Sequence, residues 1–208
     1  KLDTYGNIVN AHDGTYRKFG EYYYYHGAQY GLCHEPAKYG CDQTADHCGF
    51  HNNHNVSIWR SKTLDPNRSW EFVGTAVQCE ELPGCSILYR PHLVWNTQTE
   101  KYVLFVNYVG STSGEYKGNA VYIADSPEGP FHLENPSMNL SRLCSHNEVC
   151  GAAQGGCGDF DIFVDPKDGA GYIAYGCNYY MSIEKLTLDF TNTAPVPAGG
   201  NGNATVEG

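Results

Sequence analysis

The sequence predicts an all-β fold, and within that class a β-propeller. Three observations predict it. Tyrosine and glycine dominate the chain, with 17 and 24 copies. Short apolar runs are bounded by Gly, Pro, Asn and Asp, which is how strands joined by turns read, and the spacing of an amphipathic helix is nearly absent. A hairpin followed by a further strand also recurs at regular intervals, as in the four-stranded blades of a propeller. A β-sandwich would give many short strands too. The recurring order of inner hairpin and outer strand favours the propeller.

The elements follow in order. The first hairpin runs through Gly14-Thr15-Tyr16-Arg17, turns over residues 18–20 and returns through residues 21–25, four of them tyrosines. Alternation along that return strand sends two tyrosines into the blade and two toward a neighbouring blade. The second hairpin is His92-Leu93-Val94-Trp95, a turn over residues 96–100, and a strand over residues 101–106. The third is Asp161-Ile162-Phe163-Val164, a turn over residues 165–170, and a strand over residues 171–175. Each is followed by an outer strand beginning near residues 56, 120 and 181, a spacing of a little over sixty. Residues 151–158 read as a glycine-rich loop containing Cys157. The 208 residues therefore read as one propeller domain, 1–208, with about three blades and the start of a fourth. A ring must close to hide its sheet edges, so the domain is expected to be truncated.

Composition narrows the partners. Lys+Arg number 13 against Asp+Glu 23, giving a net charge of −10. Such a surface repels phosphate backbones and anionic lipid, so neither nucleic acid nor membrane is expected as a partner. No apolar run approaches the roughly 20 residues that span a bilayer. The loop over 151–158 lacks the Lys-Ser/Thr ending of a phosphate cradle, and no cofactor is called for. The nine cysteines are Cys33, Cys41, Cys48, Cys79, Cys85, Cys144, Cys150, Cys157 and Cys177. None forms the tight C-x2-C pair of a zinc site, so no metal is expected and all nine are disulfide candidates. Their local groupings are 33/41/48, 79/85, 144/150 and 157/177. The odd count leaves one thiol free or paired beyond the chain. His51 and His54, among asparagines after Cys48, read as part of a disulfide-tied loop ahead of a metal site. Four sequons, at Asn55, Asn67, Asn139 and Asn203, are glycosylation candidates. Sequons and cysteines together indicate a secreted, extracellular chain carrying N-linked glycans.

The motifs in order resemble one family over nearly the whole chain. Residues 3–14, ending in His12-Asp13-Gly14, with the tyrosine-rich strand and Gly27 behind them, resemble the first blade of glycoside hydrolase family 43, closest to its exo-β-1,3-galactanase-like branch. Tyr89-Arg90-Pro91-His92 and its hairpin resemble the second-blade motif of that branch. Gly158-Asp159-Phe160-Asp161 resembles the third-blade Asp motif, and Val206-Glu207-Gly208 the opening of the fourth. The resemblance implies a five-bladed propeller with a carbohydrate site at its central funnel. It assigns Asp13 as general base, Asp159 as the carboxylate that orients and tunes, and Glu207 as general acid. His12, Tyr89 and Arg90 are the implied substrate contacts. Two positions depart from the branch, which often has Gly in place of Asp13 and an acidic residue in place of Tyr89. Asp13 either restores the wider family's pattern or is a turn residue ahead of Gly14. Alternation places Asp161 on the same face as Asp159, where it competes for that role.

The chemistry asked of such a set is coherent. Inverting hydrolysis uses one protonated carboxyl for the leaving oxygen and one ionised carboxylate for water, roughly 6.5–9.5 Å apart. A third carboxylate beside the acid keeps it protonated by like-charge repulsion. Two readings stand at this stage. One is a glycosidase acting on a plant- or algal-type polysaccharide such as β-1,3-galactan. The other is a non-catalytic extracellular glycoprotein built on a degenerate glycosidase propeller, a subunit of a glycosylated, self-assembling fibre.

Overall fold

The computed structural model describes residues 1–29, 31, 53–110, 116–140, 157–177 and 180–195. Three antiparallel sheets follow one another along the chain. The first is β1 (His12–Phe19), β2 (Tyr22–Ala28), β3 (Val56–Ser61) and β4 (Glu71–Val77), each strand bonded to the next. The second repeats that order with β5 (Ile87–Asn96), β6 (Lys101–Val109), β7 (Tyr116–Ala124) and β8 (His132–Asn135). The third holds β9 (Cys157–Val164), β10 (Gly171–Cys177) and β11 (Tyr180–Lys185). These are the all-β blades the sequence pattern predicts, with each predicted hairpin forming the two inner strands. The pattern did not mark the outermost strands β4 and β8. Residues 157–158 open β9 instead of ending a loop, and the ladder sets Cys157 opposite Cys177. The expected fourth-blade opening, with Glu207, lies outside the described residues, as do Asn203, Cys33, Cys41, Cys48, Cys144, Cys150 and His51.

Strand alternation builds a core between each pair of neighbouring sheets, and a third on the far side of the first sheet. Between the first and second sheets, Tyr24 and Ile58 meet Leu88, Leu93, Leu104 and Tyr122. Between the second and third, Val94, Val103 and Phe105 meet Phe160, Ile162, Ile173 and Tyr175. Each fully buried side chain of this size contributes about 1.5–3 kcal/mol over leaving it in water. The tyrosine run divides as alternation requires. Tyr22 and Tyr24 face the second sheet, and Tyr23 and Tyr25 turn to the far side against Trp59 and Trp70.

Polar contacts fix the first sheet on the second. Glu128, in the turn after β7, accepts from Arg60 Nη1 at 2.6 Å and from the Tyr24 hydroxyl at 3.0 Å. His26 donates from Nε2 to the Pro127 carbonyl at 2.9 Å. His54 is a satisfied buried histidine, its Nε2 2.9 Å from the Leu88 carbonyl of β5. Cys79 and Cys85 form a disulfide beside the short 3-10 turn Cys79–Glu81, one of the local pairings the spacing suggested. Among the sequons, Asn67 and Asn139 are exposed, while Ser57 of the Asn55 sequon is fully buried.

Candidate active site

The innermost strand of each sheet carries the same irregularity. In β1, Asp13 and Gly14 together oppose one residue of β2, between the pairs His12↔Ala28 and Thr15↔His26. In β5, Arg90 and Pro91 do so between Tyr89↔Asn107 and His92↔Phe105. In β9, Gly158 and Asp159 do so between Cys177↔Cys157 and Tyr175↔Phe160. These are β-bulges, which bend a strand and re-aim its side chains. The local residues suit them. Pro91 has no N–H to lose from the ladder. Asp13 and Arg90 take left-handed conformations, φ 55° and 50°, which Asp adopts more readily than Arg. Gly14 permits a close approach, since a Cβ there would lie 1.7 Å from the His26 carbonyl oxygen.

The bulges bring one residue or more from each blade into a row. Asp13 of the first blade lies close enough to Tyr89 to act on its phenol. Burial pushes that phenol up, Arg90 pulls it down, and the Asp13 charge adds to the rise. The Arg90 guanidinium stands over the Tyr89 ring at 5.2 Å and reaches Asp159 of the third blade, Nη2 to Oδ1 at 2.5 Å. A second row lies beside it. Asp161 Oδ1 is 3.9 Å from Arg17 of the first blade and 3.3 Å from His92 Nε2 of the second. Strand alternation does put Asp159 and Asp161 on one face, both exposed, with Phe160 buried between them. Their partners differ: Arg90 holds the first, and His92 with Arg17 hold the second. Arg17 and Asp161 can meet only because β1 and β9 converge from either side of β5.

Three further residues find their places. His12 is half-buried at the start of β1, its Nε2 donating to the Gly31 carbonyl at 3.2 Å. Tyr89 is half-buried and Arg90 is half-exposed on the same strand. Asp13 is exposed. Sequence reading missed Arg17, His92 and Asp161 as a cluster. A signal was present in the Arg-Pro-His run, but a histidine two positions past a bulge is recognised only once the bulge is seen.

Three tandem antiparallel sheets in this order also occur in solved glycosidase structures. The exo-β-1,3-galactanase of Clostridium thermocellum superposes with a TM-score of 0.66 at 28% identity, covering 92% of this chain and 38% of that one. The fold is that of glycoside hydrolase family 43, beside its exo-β-1,3-galactanases. A family 43 β-1,3-galactosidase solved with galactodeoxynojirimycin has the same TM-score at 22% identity, with 93% of this chain and 62% of that one covered. The exo-β-1,3-galactanase of Phanerochaete chrysosporium, solved with β-1,3-galactotriose, gives 0.63 at 21% identity, covering 93% of this chain and 39% of that one. The chain thus spans about two-fifths of the length of the two galactanases. No family model and no curated protein matches the chain.

Proposed function

We propose that the chain is the sugar-facing part of a secreted, exo-acting glycoside hydrolase directed at β-1,3-galactan. The row Asp13, Tyr89, Arg90, Asp159 carries this reading, because carboxylates from two blades meet Tyr89 and Arg90 of the blade between them, all on the innermost strands. In it Asp13 activates water, Asp159 orients the reacting sugar and tunes the acid, and Glu207 protonates the leaving oxygen. Tyr89 offers a ring for stacking on a sugar face and Arg90 offers hydroxyl-directed donors. His12 backs Asp13. Secretion and glycosylation belong to the same reading. The Cys79–Cys85 disulfide suits an oxidising compartment, and exposed Asn67 and Asn139 suit attached glycans.

The test is turnover of β-1,3-galactan by the complete protein. Glu207→Gln and Asp13→Asn should each lower kcat by about 10²–10⁴-fold, the usual contribution of a general acid or base. Galactose release at the parent rate from either variant removes that residue from the mechanism. The ion pair between Arg90 and Asp159 favours a second reading, in which the carboxylate is already engaged and the propeller serves as a non-catalytic extracellular glycoprotein. Oligosaccharide binding with no turnover by the parent protein would select it.

A further inference from the structure

The left-handed backbone of Arg90 is an outlier that needs a cause. A side chain with a Cβ costs about 1–3 kcal/mol in such a conformation, and it persists only where the surroundings hold it. The group in place to hold it is His92. Its Nδ1 lies 2.8 Å from the Arg90 carbonyl oxygen. A carbonyl only accepts, so Nδ1 carries the proton and the ring's tautomer is fixed. The same ring is buried, packs on Phe160 at 4.8 Å and cannot swing away. Its other nitrogen, Nε2, then faces Asp161 Oδ1 at 3.3 Å. With Nδ1–H committed, a neutral ring points a lone pair at a carboxylate. Only a protonated ring donates to both oxygens.

We infer that His92 is a positioning residue, which fixes the Arg90 backbone so that its guanidinium stays on Asp159, and which tightens that hold when its ring takes up a proton shared with Asp161. The charged groups facing the ring come from all three innermost strands. Asp161 of β9 favours the protonated ring. Arg17 of β1 and Arg90 of β5 oppose it, and burial opposes it most. The Arg90 carbonyl also favours it, but burial prevails and holds His92 below the ordinary histidine value, so the ring takes up its proton in acid, beside the Asp161 Oδ1 that Arg17 also approaches. In this arrangement a proton on the second row reports to the first row through one peptide carbonyl.

Its meaning for catalysis rests on the glycosidase reading, but the arrangement is testable without turnover. The experiment is NMR of the imidazole nitrogens of His92 and the guanidinium of Arg90 in the full chain, titrated from neutral to acid. In the parent, Nδ1 should stay protonated throughout and Nε2 should titrate. Asp161→Asn should lower the apparent pKa of His92 by about half a unit or more. That is less than the 1–3 units of a buried partner, because Asp161 is mostly exposed. His92→Leu should release the Arg90 guanidinium into rapid rotation. His92→Asn, whose amide N–H reaches the same carbonyl, should restore slow rotation but remove its pH dependence. A protonated Nε2 in the neutral form, an unmoved titration in Asp161→Asn, or an unchanged Arg90 signal in His92→Asn across the pH range would overturn the inference. Should the complete protein show no turnover while these signals behave as stated, the glycosidase reading fails and the positioning role stands.

Discussion

Mild acid should weaken the contact between the first and second blades through one side chain, His26. Its imidazole is 1% exposed, donates to the Pro127 carbonyl, and packs edge-on against Phe131 with ring centroids 5.8 Å apart. Burial lowers its pKa from 6.5 to about 4, and the Pro127 carbonyl only partly offsets this. The unfolded chain takes up a proton near 6.5 and the folded chain only near 4. Between those values the unfolded state binds more protons, so stability falls as pH drops through the window and levels off below it. At about 1.4 kcal/mol per pH unit, the interval amounts to on the order of 3 kcal/mol. Urea unfolding at a series of pH values measures it, with His26→Gln as the reference. The Gln amide can donate to Pro127 and does not titrate. At neutral pH the variant should be less stable by about 1 kcal/mol, from lost ring packing. Toward pH 4 the gap should close and then invert, since groups common to both proteins cancel in the difference. Two parallel stability curves would refute the reasoning, because they would mean that the buried ring carries no linked proton.

Three other perturbations follow from the same structure. Glu128→Gln keeps the shape but loses the charge that meets Arg60 and Tyr24, and should cost about 1 kcal/mol in urea unfolding, a modest figure because the pair is partly exposed. Since Glu128 and burial together raise the Tyr24 phenol to about 12, burial first, the parent should lose stability between pH 10 and 12, and Glu128→Gln should lose less. Cys85→Ser opens a disulfide whose partners are 6 residues apart in sequence; the short loop predicts a loss of about 2 kcal/mol, matched by adding reductant to the parent. Gly14→Ala drives a methyl to 1.7 Å from the His26 carbonyl and should cost about 3 kcal/mol or more, a loss that a lowered urea midpoint would register.

The blades were legible because their causes are local. A short turn joins two alternating strands in each of the three hairpins, marked by Gly20 in the first, Asn96 in the second and Asp165 with Gly169 in the third, and the tyrosines of β2 divide between two clusters by alternation alone. The outermost strands were not legible, since β4 and β8 carry few buried residues: β4 buries Ala76 and Val77, and β8 buries none. In the candidate site, the motifs single out Asp13, Tyr89, Arg90 and Asp159, yet they give no sign of the pairing of Arg90 with Asp159. A distance between blades depends on how two sheets pack, and a residue sees that only through side chains more than sixty positions away. The competition between Asp159 and Asp161 shows the same limit. Alternation put both on one face, and only the neighbouring strand, with Arg90 for one and His92 for the other, distinguishes them.

The bulge shared by β1, β5 and β9 explains how one repeated unit yields unlike functional groups. A bulge at a fixed register turns its two residues out of the regular pleat at the same level of every blade. That geometry is a backbone property, so the side chains there are released from packing and free to differ. The first blade uses Asp13 and Gly14, the second Arg90 and Pro91, the third Gly158 and Asp159. An acid occupies the first place in one blade and the second place in another, with a cation between them. The residue that follows differs as well: Thr15, His92 and Phe160 are equivalent by register, and among these three only the histidine can hold a carbonyl and take up a proton. The repeat therefore fixes where chemistry can occur, and the departures from the repeat decide what it is.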